Sequence, residues 1–323
     1  TGIKKRVEQP EVVVYTALDR EFSEPILKIF EAKYGIKVKA KYDTESTKTI
    51  GLVNAIRNEK DRPRCDVFWN NEILNTIRLK NEGLLEPYQS PSAVSFPATF
   101  KDPEGYWTGF AARARIFLVN TDMLKPEEYP VSIEDMTNPR FKGKVGIAKP
   151  LFGTTASHAA ALFASVGAEK AAKFFAELNQ NEVQIESGNK TVALAVSSGR
   201  LAFGLTDTDD AIGEVEAGKP VTIVYPDSKP EQMGTLFIPN TLSLVKGSPS
   251  PEAAKVLIDY LLSPKVEGAL AEASSAQIPV NPQVDVKVRV KTPKEIKAMP
   301  LDYSAAAASF EEAATFIRDS YLR

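Results

Sequence analysis

The chain is predicted to be an α/β protein of two lobes, and three observations lead to this prediction. Short β-branched runs alternate with amphipathic segments at helical spacing, which is typical of a mostly parallel sheet covered by helices. The length of 323 residues exceeds what one hydrophobic core usually serves. From residue 108 onward the alternation gives way to a long apolar run that contains two arginines, and we interpret this run as a crossing between lobes.

The first lobe is predicted from a strand and helix unit that occurs three times. The predicted strands are EVVVYTAL, IKVKAKY and CDVFWN, and the helices that follow them are SEPILKIFEAKYG, TKTIGLVNAIRNEK and EILNTIRLKNEG. Apolar residues recur every three or four positions in these helices, and Gly35 is a stop signal for the first of them. These units predict a sheet with helices on its faces.

The second lobe is predicted from further units of the same kind after TGFAARARIFLVNTDML. Its strands are KVGIAK, VQIES, LAFGLT and VTIVYP, and its helices are TTASHAAALFASVG, AEKAAKFFAELNQN and NKTVALAVSSG. GTLFIPNTLSLVKG then returns the chain to the first lobe, where PEAAKVLIDYLLSPKVEGALAE adds helix, and YSAAAASFEEAATFIRDSYLR is the last helix. The predicted boundaries are 1–10 for a tether, 11–112 plus 238–285 for the first lobe, and 113–237 plus 286–323 for the second.

The composition restricts the function. Lys and Arg number 40 against 42 Asp and Glu, so no field of one sign recruits nucleic acid. The single Cys65 excludes an internal disulfide, and the single His158 excludes zinc sites with several His or Cys ligands. Oxygen atoms are therefore the expected metal ligands. The polar segment TGIKKRVEQP is interpreted as a tether after a removed signal or lipid anchor, although expression trimming would leave the same sequence.

Polar side chains follow several predicted strands. Thr16 lies near the end of the first strand and Asp19 follows it, Thr44 and Ser46 follow the second strand, and Glu72 follows the third. In open parallel sheets ligands bind beyond the carboxyl ends of the strands, and in two lobes those ends can face one cleft.

The segment FGLTDTDDAIGEVEAG places Asp207, Asp209 and Asp210 directly after an apolar strand. Asp209 or Asp210 can cap the next helix, since an acid there accepts backbone N–H bonds. A calcium loop is poorly supported because its fifth position is Ala211 and its glycine and glutamate are misplaced. The third interpretation is a group of carboxylates that faces the cleft and holds a cation or a protonated ligand.

Two predicted helix starts suit an anion. PLFGTTASH brings Thr154 and Thr155 to a helix N-terminus, and ESGNKTVAL does the same with Asn189 and Lys190. Free N–H groups and hydroxyls there can bind phosphate, carbonate or carboxylate. The alternative is ordinary N-capping by Thr154 and Asn189.

Arg113 and Arg115 lie in a run that otherwise reads as an apolar strand. A guanidinium in such a place needs an acidic or anionic partner, which is either a ligand or one of the protein's own carboxylates. His158 is expected to be a packed polar residue rather than a ligand.

Five segments carry a family resemblance, and in chain order they are VVVYTALDREFSEPILKIFEAKYGIKV, CDVFWNNE, GFAARARIFLVNTDML, GNKTVALAVSSGRLAFGLTDTDDA and MGTLFIPNTLSLVKGSPSPEAAKVLIDYLLSPKVEGALAE. Together they resemble ABC-transporter solute-binding proteins of the ferric-iron-binding branch. The resemblance covers nearly the whole chain. It implies a type II periplasmic-binding-protein fold, in which two α/β lobes are joined by two crossing strands and close on a ligand. It also implies a membrane permease as partner and a periplasmic or extracellular location.

The resemblance also implies site residues. Ferric-binding relatives typically hold iron with an adjacent tyrosine pair, often with a histidine and a glutamate, and place an anion at helix N-termini near an arginine. Here Asp19 falls at the histidine position, Glu72 or Asn71 at the glutamate position, and TDTDD at the tyrosine pair, so the phenolates are missing. The anion side matches through Arg113, Arg115, Thr154, Thr155 and Asn189.

The leading hypothesis is a monomeric, non-catalytic receptor that closes on iron(III) or another hard cation. Its metal ligands would be Asp19, Glu72, Asp207 and Asp209, with a carbonate or phosphate-type anion beside them. A phosphorylated or phosphonate solute is the second candidate. An enzyme with an aspartate base lacks an activated nucleophile or paired general acid. A sensor that reports ligand occupancy would share the fold.

Overall fold

The computed structural model describes residues 9–44 and 47–323, so Ser46 and residues 1–8 of the predicted tether lie outside the described residues. The described strands follow the predicted order. They are β1 (Glu11–Thr16), β2 (Lys37–Tyr42), β3 (Val67–Asn70), β4 (Leu85–Glu86), β5 (Thr108–Asn120), β6 (Val145–Ala148), β7 (Gln184–Glu186), β8 (Phe203–Asp207), β9 (Val221–Val224) and β10 (Phe237–Val245).

The helices connect these strands as the spacing predicts. They are α1 (Arg20–Tyr34), α2 (Ile50–Asn58), α3 (Leu74–Asn81), α4 (Gly153–Val166), α5 (Ala168–Gln180), α6 (Asn189–Ser197), α7 (Thr208–Glu216), α8 (Pro251–Leu261), α9 (Pro264–Glu272), α10 (Tyr303–Ala308) and α11 (Phe310–Phe316). Among the residues described, we find no helix with the length and apolar character that a membrane crossing requires.

The first lobe is built on the parallel strands β2, β1 and β3, with β1 in the centre. Successive side chains of a strand face opposite sides of the sheet, so both faces carry a core. Val14 packs with Phe30 of α1 and Leu257 of α8 on one face. Phe68 packs with Leu52 of α2 on the other. The helices are therefore fixed on the two faces, and the loops after the strands meet at one edge.

The second lobe is built on the parallel strands β7, β6 and β8. The antiparallel strand β5 borders β8, with Arg115 opposite Asp207, and it also pairs with β9. The loops and helix starts after β6, β7 and β8 thus gather at the carboxyl edge of this lobe.

Two long strands cross between the lobes. The first half of β5 pairs with β10, which in turn pairs with β3 of the first lobe, whereas the second half of β5 pairs with β8. The register of β10 against β5 shifts between Pro239 and Asn240, and Ala111 on β5 has a φ of 43°. Such irregularities bend the paired strands locally, here where β5 and β10 cross between the lobes. This topology confirms the prediction of two α/β lobes joined by two crossing strands.

Two predicted helices are divided in the structure. Pro264 begins α9 after Ser263 because proline has no N–H with which to continue α8. The predicted last helix is divided at Ser309 into α10 and α11. Here α10 packs against both α3 of the first lobe and α4 of the second.

Candidate functional site

A small polar cavity lies between the lobes at the carboxyl ends of their strands. Its volume of about 20 Å³ gives room for about one water-sized group. The wall is formed by Lys48, Asn71, Arg113, Ala148, Lys149, Phe152, Gly153, Thr154, Ser187, Gly188, Asn189, Asp207, Asp209 and Asp210. A larger groove of about 440 Å³ lies at the opposite ends of the strands, beside Cys65 and Val245, away from this convergence of polar groups.

The aspartate cluster consists of Asp207, Asp209 and Asp210, and it spans the end of β8 and the start of α7. Asp207 occupies the N-cap position of α7, but its side chain does not cap the helix. Asp209 and Asp210 lie inside the first turn of α7 rather than at the N-cap. Asp209 Oδ1 accepts the backbone N–H of Asp210 at 3.1 Å, so Asp209 bonds one N–H of the first turn, as the capping interpretation expects. One oxygen of each carboxylate lies within 4.8 Å of the others. The cluster therefore faces the cavity as a group.

Arg115 is a buried partner of Asp207 behind the cavity wall. Its Nη1 donates to Asp207 Oδ1 at 2.8 Å and to Asn189 Oδ1 at 3.0 Å, and its Nη2 donates to Thr155 Oγ1 at 3.1 Å. Thr154 Oγ1 donates to Asp207 Oδ2 at 2.6 Å. Asp207 is thus held in a charge-assisted network, which such groups need when they are buried.

Arg113 is also buried but is less fully bonded. Its Nη1 lies 3.8 Å from Asp209 Oδ2 and its Nε 4.0 Å from Asp207 Oδ2, while its Nη2 donates to the carbonyl of Asn71. Its Nε–H is buried without a hydrogen-bond partner in the described part of the chain. A buried donor without a partner is costly, so this group favours an acceptor in the cavity.

The protonation of the aspartates differs with their surroundings. Burial raises the pKa of Asp209 to about 7, against the opposing charge of Arg113. Burial also raises the pKa of Asp210 well above its ordinary value, and the charge of Asp209 adds to this effect. For Asp207 burial acts in the same direction, but Arg115 and Arg113 outweigh it and lower its pKa. Asp207 is the carboxylate that stays charged.

The helix starts of α4 and α6 form the second-lobe wall. Their N-caps are Phe152 and Gly188, neither of which caps through its side chain. The prediction of ordinary N-capping by Thr154 and Asn189 is therefore wrong, because both side chains bond to each other and to Asp207 instead. The N-termini of two helices thus lie at one cavity, where the helix dipoles favour negative charge, and the N–H of Gly153 there is already bonded to the carbonyl of Lys48.

Glu72 does not line the cavity. It lies two positions before Leu74, the first residue of α3. Its carboxylate accepts the backbone N–H groups of Leu74 and Asn75 and the side-chain amide of Asn70. Its Oε2 also accepts Ser157 Oγ of α4 at 2.8 Å. These four donors give Glu72 a role in joining the lobes.

Other predicted residues also lie away from the cavity wall. Thr16 is buried and its Oγ1 accepts the N–H of Leu18 at 3.2 Å, whereas Thr44 Oγ1 lies 2.6 Å from Thr47 Oγ1. Lys190 Nζ lies 3.6 Å from Glu21 Oε1 of α1, and the two side chains form an exposed ion pair between the lobes. Asp19 forms an ion pair with Lys48. Arg113, Thr154, Asn189, Asp207 and Asp209 are the predicted residues that line the wall.

Among the charged residues of the wall, Lys48 and Lys149 were missed by sequence reasoning, and Asp210 was considered with the other aspartates but not assigned as a ligand. Asp210 had a signal, since it is adjacent to Asp209 and follows the same strand. Lys48 had only its position after β2, at the edge where ligands are expected. A lysine in a polar loop carries no other mark in one sequence.

His158 is buried on α4 and lies behind the site. Arg115 Nε donates to its Nδ1 at 3.4 Å. Burial, and then the charge of Arg115, lower the pKa of His158 to about 3. The residue is thus a neutral packed acceptor, in agreement with the prediction.

The comparisons with known proteins identify the family. A family model described as bacterial extracellular solute-binding protein matches residues 76–307. The chain therefore belongs to this family, and it is a solute-binding protein rather than an enzyme.

Individual relatives agree with this assignment. The chain is 27% identical over 292 residues to iron uptake protein A1 of Synechocystis. The aligned region covers 86% of this chain and 79% of the relative. The crystal structure of iron-bound HitA from Pseudomonas aeruginosa matches with a TM-score of 0.86 at 22% identity, over 96% of this chain and 99% of the other. The periplasmic binding protein AfuA from Actinobacillus pleuropneumoniae, with fructose-6-phosphate bound, matches with a TM-score of 0.84 at 25% identity, over 96% and 97%. These matches confirm the fold class and the resemblance found in the sequence.

Proposed function

We propose that this protein is the receptor of an ABC importer and that it captures a hard metal cation together with a small anion. Iron(III) is the leading cation, because the relative from Synechocystis is named as an iron uptake protein. The partner would be a membrane permease that accepts the ligand from the closed receptor. The receptor would act as a monomer in the periplasm or outside the cell, with or without a lipid anchor.

The aspartate cluster is the observation that carries the cation. Its three carboxylates each offer an oxygen within 4.8 Å of the others. Oxygens bound to one hard cation at about 2.0–2.6 Å are no more than about 5 Å apart, so one ion can reach all three. Asp19, which is paired with Lys48 outside the wall, would have to leave this partner to supply a further carboxylate from the first lobe. Carboxylates suit iron(III), calcium and similar hard ions.

The anion is supported by the positive side of the cavity. The Nε–H of Arg113 is buried without a partner, and the first turns of α4 and α6 face the same space. Thr154 and Asn189 would add hydroxyl and amide donors. An anion here would share the charge of a trivalent cation with the aspartates.

Closure of the lobes would provide the affinity. The proposed lobes are 11–112 plus 238–285 and 113–237 plus 286–323, and the cavity draws Lys48 and Asn71 from the first and the aspartates from the second. A ligand that contacts both lobes favours the closed state by its differential affinity.

Elemental analysis and native mass spectrometry of purified protein test this function. We expect one equivalent of a hard metal with a bound anion, and we expect Asp209→Asn with Asp210→Asn to lower iron(III) affinity at least about 100-fold. The matched control is Asp319→Asn in the C-terminal turn. Absence of binding by every hard cation tried in carbonate, phosphate or citrate would reject the proposal.

A phosphorylated solute is the second candidate. AfuA was solved with fructose-6-phosphate bound, and the aspartates here can accept hydrogen bonds from hydroxyl or amine groups. In this case the helix starts would bind the phosphate after the lobes have opened, because the cavity of about 20 Å³ has room for about one water-sized group. Calorimetry with fructose 6-phosphate and a phosphonate panel, in the presence of a metal chelator, separates this candidate from the first.

A further inference from the structure

Lys48 is a cation of the first lobe that lines the cavity. It lies between β2 and α2 and forms part of the wall that also contains the aspartate cluster. Its Nζ forms an ion pair with Asp19. The side chains of Lys48 and Asp19 are only 16% and 24% exposed, so this pair is less screened than a surface pair.

The backbone of Lys48 is fixed against the second lobe. Its carbonyl accepts the N–H of Gly153, the first residue of α4, at 3.0 Å. Asp19 is the N-cap of α1, yet its side chain makes no capping bond and is available to Lys48. The backbone bond to Gly153 and the ion pair with Asp19 therefore fix the position of the Lys48 ammonium group in the cleft.

The two buried arginines beside the aspartates are already committed, and Lys149, the other lysine of the wall, is exposed and follows β6. Arg115 is bonded to Asp207, and Arg113 lies between Asp207 and Asp209. Lys48 lines the same small cavity as Asp209 and Asp210, so its charge lies opposite theirs across a space of about 20 Å³. Carboxylates that face one cavity repel each other unless a cation compensates them.

We propose that Lys48 is the resident counter-ion of the acidic cavity and thereby a specificity-determining residue. Its ammonium competes with any cation that binds the aspartates, and it attracts any anion that enters beside them. This inference rests on the proposed function, because it concerns the same cavity. It assigns to one side chain the balance between cationic and anionic ligands.

The test measures two affinities, one for a cation and one for an anion, which substitution of Lys48 should change in opposite directions. We use Tb³⁺ alone as a hard trivalent probe and inorganic phosphate alone as an anionic probe. Lys48→Gln should raise the affinity for Tb³⁺ by at least about tenfold and lower the affinity for phosphate by a similar factor. Lys48→Arg, which keeps the charge, should stay close to wild type for both probes.

The matched control is Lys39→Gln, which removes an exposed lysine of the edge strand β2 that pairs with Glu11 of β1. It should change neither affinity more than about twofold. If Lys48→Gln shifts both affinities in the same direction, or neither, Lys48 is only structural and the inference is wrong.

A ligand-free measurement separates failure of this inference from failure of the proposed function. Lys48→Gln should lower the thermal midpoint by about 2 °C or more, and Asp19→Asn should recover part of this loss in the double variant. If neither probe binds the wild-type protein, the proposed ligand class is wrong. Non-additive thermal midpoints of the two single variants and the double variant would then still support Lys48 as the counter-ion. Additive shifts would overturn it.

Discussion

Asp207 and Asp209 are two positions apart in the sequence, but their side chains have different surroundings. Asp207 accepts hydrogen bonds from Arg115 and Thr154. Asp209 lies 3.8 Å from Arg113, and no hydrogen bond from a side-chain donor reaches it among the described residues. One carboxylate is part of a bonded network, whereas the other is held beside like charges. The two should therefore respond differently to the same substitution.

Asp207→Asn should lower the free energy of unfolding by about 3 kcal/mol, because it leaves the buried Arg115 without its charged partner. Asp209→Asn should leave this free energy unchanged or raise it at pH 8, since burial has raised the pKa of Asp209 to about 7 and ionisation there is unfavourable. Urea unfolding of both variants without ligand checks the contrast. Equal losses would mean that both aspartates are structural.

His158 provides a pH prediction, because the chain has a single histidine. Its pKa falls from 6.5 to about 3 on folding, so only the unfolded chain takes up a proton between these values. The stability that it contributes is complete above pH 6.5 and is lost as the pH falls toward 3. At about pH 4.5 the loss should be about 2–3 kcal/mol.

Two measurements check the histidine. The NMR signal of the imidazole should not titrate between pH 7 and pH 5 in the folded protein. Urea unfolding of His158→Gln should show a shallower decrease of stability with acid than wild type. Titration of the folded signal near pH 6.5 would contradict the structure.

At the scale of elements, the first turn of α4 is attached to the first lobe at both ends. Gly153 N–H donates to the carbonyl of Lys48 at 3.0 Å, and Ser157 Oγ donates to Glu72 Oε2 at 2.8 Å. The same turn supplies Thr154 to the aspartate network. A helix start that binds ligand and joins the lobes can couple the two events.

Ser157→Ala should loosen this junction. Glu72 keeps its three other donors, so the loss of stability should be only about 1 kcal/mol. Hydrogen exchange of the peptide that covers residues 153–157 should be faster than in wild type, because the turn then opens locally at lower cost. Ser198→Ala, an exposed serine at the end of α6, is the control. Unchanged exchange would show that the bond does not hold the turn.

At the scale of the whole molecule, the crossing strands β5 and β10 connect the two lobes. A compact chain of this length has a radius of gyration of about 20 Å. Addition of iron(III) citrate should reduce the radius measured by small-angle scattering, because a ligand that contacts both lobes favours closure. The double variant Asp209→Asn with Asp210→Asn should not respond. Equal radii for wild type with and without bound ligand would rule out hinge closure.

The fold was predictable because its signals are local. The strand EVVVYTAL and the helix SEPILKIFEAKYG are marked by periodicity within one segment, and so is nearly every other element. The breaks at Ser309 and Pro264 were less clear, since apolar spacing continues across them. The arginines in TGFAARARIFLVNTDML also indicated correctly that this strand differs from the others.

The candidate site was only partly predictable. Asp207, Asp209 and Arg113 were recognised, because charge next to an apolar strand is unusual. Glu72 was expected in the metal site, but it accepts the first N–H groups of α3, and local sequence does not tell which way a carboxylate turns. Lys48 reaches the cavity only because its loop packs on α4 of the other lobe.

The sequence by itself determined the α/β architecture, the return of the chain to its first lobe and the acidic segment at the end of β8. These depend on side-chain period and composition, which are written along the chain. The tertiary structure decided which charges meet. Asp207 and Arg115 are 92 positions apart, and their distance of 2.8 Å follows from strand pairing between β5 and β8. Electrostatic partners depend on distance in space, and only the folded chain sets that distance.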